Sequence, residues 1–296
     1  MKLAAIDIGS NAARLLISEV SLDKNNNASF TKLSLIRVPL RLGFDVFETG
    51  KISDKKVRLL LLTMKGFLNI SKAFEVKALK TCATSAMRDA ANTQQIISLV
   101  KEATGIEIEV ISGSDEASLV FENHIAENLD GTHSYLYIDV GGGSTELTFF
   151  SNNKLVFKES FNIGTIRLLK NQVPDSRWDE MKSIVKNKVK GFKTVTAIGS
   201  GGNINKVFSL SKRKDGKPLS LELLRDYYKE LSNVSLIDRI NIYKLKEDRA
   251  DVIVPALKIY ISVMRWAGAE EIYVPRIGLA DGLIQHLWEE EKGIKD

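Results

Sequence analysis

The sequence predicts an α/β protein of two related lobes that face each other across a phosphate. Three observations carry that reading. The stretch YIDVGGGSTEL, Tyr137 to Leu147, runs from an apolar segment into Asp139, three glycines, then Ser144, Thr145 and Glu146. The N-terminus repeats the pattern in Ala5-Ile6-Asp7-Ile8-Gly9-Ser10-Asn11, again followed by an apolar run, Leu15-Leu16-Ile17. A third glycine turn, Gly199-Ser200-Gly201-Gly202-Asn203, follows the apolar Ala197-Ile198. Glycine takes positive φ without a Cβ clash, so such turns fold tightly and expose N–H groups that form a nest for an anion. A carboxylate just ahead of the turn can hold a divalent cation that partly neutralises phosphate. One triplet alone would be read as a plain glycine hairpin. Two strand–Asp–glycine–strand units about half a chain apart read as an internal repeat of the fold.

The elements follow in order. Residues 3–8 and 12–20 read as strands around the first turn, and 29–42 as extended, ending in Arg41-Leu42-Gly43. Ser53 or Asp54 caps a helix to about Phe74, with Val57, Leu60, Leu61, Met64, Phe67 and Leu68 on one face. Leu59 and Leu62 widen that face, as expected for a helix packed on a sheet. Val76 to Ala83 is a short strand, and the small polar loop Thr84 to Ala90 follows it. Loops at the C-terminal ends of strands are where α/β folds place ligand residues. Arg88 in that loop either clamps phosphate, since guanidinium matches two oxygens at once, or belongs to an Arg88–Asp89 surface region. Asn92 or Thr93 caps a helix that stops at Gly105. Ile106, Ile108 and Val110 alternate with Glu107 and Glu109 as a half-buried strand. Ser114 then caps a helix with Asp115 and Glu116 in its first turn, running to about Asn128. Acids there suit the helix dipole, and a carboxylate at such a junction is also placed to act as a base.

The loop Leu129 to His133 reads as the domain crossing, giving domains at 1–128 and 129–296, with the last helix (280–296) able to pack back on the first. In the second half the Asp139 hairpin leads to a strand over 154–161 and a short helix from Gly164. A helix over 176–190, a strand over 195–198 and a helix from the third glycine turn come next. A polar loop spans 211–220, and helices follow over 220–232, 235–241 and 248–267, the last interrupted by Pro255. A strand at 271–274 and a final helix to Glu291 close the chain.

Composition narrows the function classes. At 296 residues, 44% hydrophobic and 27% charged, the chain is a globular protein with room for two cores. No apolar run approaches the roughly 18 residues of a membrane span, and the first strand, interrupted by Asp7, has no secretory pattern. A cytoplasmic protein is expected. Cys82 is the single cysteine, which excludes an intrachain disulfide and a cysteine-based zinc cluster. His124, His133 and His286 show no ligand spacing. The net charge of +5 is local: Ser151 to Lys217 carries 15 Lys/Arg against 5 Asp/Glu, leaving the remainder net −5. Lys182, Lys186 and Lys190 recur on one helix face with Lys193 nearby, a stripe that attracts polyanions or is an ordinary solvated face. No nucleic-acid motif accompanies it and aromatic interleaving is poor, so nucleic acid ranks low among partners and no membrane is expected.

Together these motifs resemble the exopolyphosphatase / guanosine pentaphosphate phosphohydrolase (Ppx/GppA) family of the actin-like, sugar-kinase and heat-shock ATPase superfamily. The matching stretches are AIDIGSNAARLL, TSAMRDA, EVISGSDEASLVF, YIDVGGGSTEL, NIGTIRL, AIGSGGNI and GLADGLI, in family order over nearly the whole chain. The resemblance implies two ribonuclease-H-like domains with a cleft between them, in the short form without an added helical domain. It implies hydrolysis of terminal phosphate from polyphosphate, short chains mildly preferred, or from guanosine pentaphosphate. By motif, Glu116 matches the catalytic base and Arg88 the phosphate-gripping arginine. Asp139 and Glu146 match the catalytic acids that hold magnesium or another divalent cation. Asp7, Gly9, Ser10 and Asn11 match the first phosphate loop, and Gly141, Gly142, Gly143 and Ser144 belong to the second. Two positions depart from the pattern: Asp115 where Glu is usual, and Ala12 where Ser is common, which removes one hydroxyl contact to phosphate. Two-lobed members commonly pair, so a homodimer stays open. Two other readings compete: an ATP-dependent kinase of the same superfamily, with Gly199 to Asn203 lining an adenosine pocket, and a non-catalytic polyphosphate- or alarmone-binding protein.

Overall fold

The structure is a computed structural model that describes residues 1–121, 133–152 and 154–293. The chain begins β1 (Lys2–Ile8), β2 (Ala13–Leu22), β3 (Ala28–Val38), α1 (Leu42–Thr49), α2 (Asp54–Ala73), β4 (Ala78–Ala83), α3 (Ser85–Asp89), α4 (Thr93–Thr104), β5 (Glu109–Val110) and α5 (Gly113–Phe121). It continues β6 (Ser134–Val140), β7 (Thr145–Ser151), β8 (Lys154–Phe161), α6 (Thr165–Leu169), α7 (Asp175–Val189), β9 (Val195–Ser200) and α8 (Gly202–Ser211). It ends β10 (Leu219–Ser220), α9 (Leu221–Ser232), α10 (Leu236–Asn241), α11 (Glu247–Ala250), α12 (Ile253–Ala267), β11 (Glu271–Tyr273) and α13 (Leu279–Glu291). Two compact units result: Met1–Asn123 with Leu279–Asp296, and His124–Gly278. The expected crossing near 128/129 falls among residues 122–132, outside the described residues.

The first sheet has the order β3-β2-β1-β4-β5. Its first three strands form an antiparallel meander, and β4 and β5 add in parallel. The second sheet, β10-β11-β9-β6-β7-β8, repeats this plan: β6, β7 and β8 are the meander, and β9 and β11 add in parallel. The repeat seen as two Asp-Gly turns is therefore a repeat of whole sheets, the ribonuclease-H-like plan of the actin-like fold. Six of the seven β1 residues are buried, as a central strand covered on both faces requires.

In the first unit Leu3, Ala5, Leu16 and Val20 pack with Leu283, Ile284 and Leu287 of α13. Here α13 comes so close to α5 that a Cβ on Gly282 would stand 1.9 Å from the Leu119 carbonyl oxygen. In the second unit Leu136, Ile138 and Phe149 pack with Met181 and Val185 of α7, Phe208 of α8, and Leu257 and Met264 of α12.

Several local expectations give way. The extended stretch ends at Val38, and Leu42 starts α1 instead. Arg41 enters this helix at φ 53° with no side-chain cap, so no polar capping residue marks its start. The Thr84 to Ala90 loop contains α3, and the strand expected over 106–110 pairs only at Glu109–Val110. On α2, Leu60, Met64 and Phe67 are buried, but Leu59 and Leu62 are 40% and 67% exposed, so the apolar face is narrower than the leucine run suggests. The expected helix over 248–267 is two, α11 and α12. Pro255 falls in the first turn of α12, where its missing N–H breaks no helix bond.

Candidate active site

In the second unit the candidate residues gather at the ends of β6, β7 and β9. Asp139 and Glu146 are directly opposed across the β6–β7 ladder, and Asp139 is also in register with Ser200 of β9. Glu146 is 3% exposed and accepts a 2.9 Å hydrogen bond from Ser160 Oγ, its partner on β8. The turn between the two acids closes through Gly141 N–H to Ser144 O at 2.9 Å. The start of α6 then staples it: Thr165 N–H donates to Gly141 O, Ile166 N–H to Gly142 O, and Arg167 Nε to Gly143 O at 2.8 Å. A Cβ at Gly164 would stand 2.4 Å from Gly142 O, so this close approach needs glycine at 164.

The first unit uses the same device. Gly9 N–H donates to Ala12 O at 3.1 Å, and the residues around the start of α1 bind the turn through Arg41 N–H to Asn11 O and Gly43 N–H to Ser10 O. Neither Gly9 nor Gly141 has positive φ, and both spend their N–H on closing the turn rather than on an anion nest. What favours glycine there is space, since a Cβ would meet Ala12 O at 3.3 Å or Ser144 O at 3.2 Å. The cross-strand partner differs, however. Opposite Asp7 stands Arg14, whose Nη1 lies 2.5 Å from Asp7 Oδ2.

The same strand ends collect the other first-unit residues. Ser10 Oγ is 2.8 Å from Ser85 Oγ of α3, and Thr84 N–H donates to Ile8 O. Arg88 Nη1 donates to Ile111 O at 2.9 Å, which ties α3 to the entrance of α5. The cap of α5 is Ser112 rather than Ser114. Ser112 Oγ accepts from Asp115 N–H at 3.1 Å and donates to Asp115 Oδ2 at 2.6 Å. With Ser112 N–H also donating to Asp115 Oδ2 at 3.4 Å, this is a capping box with Asp in place of the usual Glu. Asp115 thereby has a local structural duty, while Glu116, 9% exposed, lies outside that pair. On β4, Cys82 is in register with Asp7, and burial, then the nearby Glu109 charge, pushes its thiol up to about 12.

The third turn adds residues that sequence reading missed. Gly201 has φ 107°, the left-handed region that favours glycine, and a Cβ there would stand 3.0 Å from Asp139 Oδ1. Arg249 lies over the turn, with Nη1 3.2 Å from Asn203 Oδ1 and 2.3 Å from where a Gly202 Cβ would be. The buried Tyr260 hydroxyl donates to the Ser200 carbonyl; burial, then the Asp139 charge, raises its pKa well above the usual phenol value. Arg249 and Tyr260 lie about 50 residues beyond the turn, so no local pattern links them to it. On α7, Met181, Val185 and Val189 face the core, and Lys182 and Lys186 face solvent.

The description "Ppx/GppA phosphatase family" matches residues 21–291 of the sequence. The chain belongs to the Ppx/GppA phosphatase family. The resemblance drawn from the seven motifs therefore holds, and the chain is a phosphohydrolase. Among its relatives, exopolyphosphatase 1 of Mycobacterium tuberculosis is 26% identical, over 96% of this chain and 87% of that one. The guanosine-5'-triphosphate,3'-diphosphate pyrophosphatase of Aeromonas hydrophila is 22% identical, over 96% of this chain and 59% of that one. The crystal structure of an exopolyphosphatase from Cytophaga hutchinsonii shares the fold, with a TM-score of 0.83, 24% identity and coverage of 100% of this chain and 99% of that one. Among the described residues no helix is long and apolar enough to cross a membrane.

Proposed function

We propose that this phosphatase releases the terminal phosphate of inorganic polyphosphate or of guanosine pentaphosphate, with Glu116, Arg88, Asp139 and Glu146 as its catalytic residues. The names of the two relatives support the substrate class. The observation that carries the reading is the opposed pair Asp139 and Glu146 beside a glycine turn that a helix start holds rigid.

Two hard carboxylate donors suit magnesium or another divalent cation, which takes one or two carboxylates and fills its remaining positions with water and phosphate oxygens. Among the described residues no group of three or more His, Cys, Asp or Glu forms a fuller cage, which fits an ion held partly by substrate. Bound there, the ion supplies positive charge to the phosphoryl oxygens. The chain's own residues have the remaining tasks. Glu116 orients the attacking water and takes its proton. Arg88, already oriented by its bond to the Ile111 carbonyl, grips phosphoryl oxygens. The Gly9–Asn11 and Gly141–Ser144 turns hold phosphate, and the α7 lysines hold the distal anionic tail.

The test is phosphate release from short polyphosphate, long polyphosphate, guanosine pentaphosphate and ATP with magnesium, comparing the native chain with Glu116→Gln. Turnover on one of the first three is expected, falling about 10²–10⁴-fold in the variant. Near-native turnover in Glu116→Gln would remove Glu116 as the base. Binding without release from any substrate would favour a sensor.

A further inference from the structure

We propose that Tyr260 is a positioning residue for the Asp139 carboxylate: its hydroxyl, bonded to the end of β9 at the fork with β6, fixes the acid and the third glycine turn in one arrangement. The inference rests on the reading of Asp139 as a cation ligand and deepens it.

Asp139 and Ser200 are the last register partners of the parallel β6–β9 ladder, and beyond them the two strands part. The Tyr260 hydroxyl stands at that fork. It donates to the Ser200 carbonyl and faces the backbone of Val140, the residue after Asp139. A Cβ on Gly201 would be 3.5 Å from the same hydroxyl and 3.0 Å from Asp139 Oδ1. Hydroxyl and carboxylate therefore both border the turn at Gly201. The Tyr260 ring is 1% exposed and packs among Leu257, Val263 and Met264 of its own helix and the strands below. That packing needs a ring, which phenylalanine would supply. Burying a hydroxyl carries a desolvation cost unless it is bonded, and here the bond goes to Ser200, the register partner of Asp139 at the start of the turn. An acid whose neighbouring strand end and turn are fixed in this way keeps its orientation when a cation arrives. Loss of such a contact typically weakens metal affinity about 10–100-fold.

The experiment is direct Mn²⁺ titration, read by electron paramagnetic resonance, on the native chain, Tyr260→Phe, Asp139→Asn and Tyr243→Phe. The last removes a surface hydroxyl bonded to Glu230 and serves as control. Circular dichroism selects folded samples. Tyr260→Phe is expected to bind Mn²⁺ about 10–100-fold more weakly, with Tyr243→Phe unchanged. Gly201→Ala crowds the same carboxylate while keeping the hydroxyl, and is expected to weaken Mn²⁺ as well, so the inference does not hang on the folding of one variant. Native-like Mn²⁺ affinity in folded Tyr260→Phe, with binding lost in Asp139→Asn, would overturn the positioning role and leave the cation reading standing. Retained binding in Asp139→Asn would overturn the cation reading itself.

Discussion

The β1–β2 and β6–β7 hairpins share a backbone plan and differ in one cross-strand partner. Each carries an aspartate near the end of its first strand, closes its turn with a glycine N–H, and is stapled at the start of a helix. Asp7 faces Arg14, and Asp139 faces Glu146. The first pair is an ion pair of net charge zero, with the Asp7 side chain 5% exposed and Arg14 32% exposed. The second places two carboxylates side by side, which repel one another unless a proton or a cation intervenes. A duplicated scaffold thus carries two different cross-strand pairs, an acid and a base on one hairpin and two acids on the other.

The comparison breaks most readily at the acid pair. Asp139→Asn is expected to lower phosphate release by about 10²–10³-fold and to abolish its dependence on divalent cation. Glu146→Gln is expected to follow closely. Chelation of divalent ions should arrest the native chain to the same extent. Asp7→Asn, on the other hand, should leave cation affinity untouched, and calorimetric titration of Mn²⁺ against the three variants separates the hairpins. Equal loss of affinity in Asp7→Asn would show that both turns serve the ion.

Gly164→Ala sharpens the comparison at the staple. An added methyl would press on the Gly142 and Gly143 backbone at 2.4 Å, and backbone cannot rotate away as a side chain can. A loss of about 1–3 kcal/mol in urea unfolding is expected, with reduced turnover. Native stability in this variant would mean that α6 is not fixed to the turn. Arg14→Met acts on the other hairpin. It strands the buried Asp7 carboxylate, and since Arg14 is partly solvated the cost is expected at about 1–3 kcal/mol, with Mn²⁺ affinity unchanged. A change in Mn²⁺ affinity would tie the first hairpin to the ion after all.

These hairpins were legible in the sequence because everything that makes them is local: an apolar strand, an acid, glycines and a second strand within about a dozen residues. The repeat of two sheets followed from reading the pattern twice. Features made by distant approach left no such trace. Arg249 reads as a surface residue at a helix start until its guanidinium is found over Gly202. Tyr260 reads as one more apolar position of α12. The long leucine run of α2 misled because helical periodicity gives the direction of a face but not its width, which the neighbouring layer decides. The α5 cap was placed two residues late because Ser112 and Ser114 are equally good capping types, and only the reciprocal bond between Ser112 and Asp115 chooses.

The smallest expected effect concerns the strand beside each aspartate. Cys82 occupies on β4 the register position that Ser200 occupies on β9. Ser200 Oγ donates to the Ile277 carbonyl at 3.0 Å, whereas the thiol is 1% exposed and its pKa is pushed up to about 12 from an ordinary 9.0, chiefly by burial. The native state therefore keeps the thiol proton at pH values where the unfolded chain loses it. The stability this contributes is fully present below pH 9 and is lost progressively as pH rises from there through about 12. Each unit in that window is worth up to about 1.4 kcal/mol. Cys82→Ala leaves a small cavity whose cost does not vary with pH, and it removes the thiol's share of the alkaline slope. Urea midpoints measured from pH 8 to about pH 10.5 should converge for the two proteins as pH rises, with the native chain ahead at the lower end. Curves that stay parallel would mean that the thiol ionises alike in both states, and that the strand beside Asp7 is open to water in the folded chain.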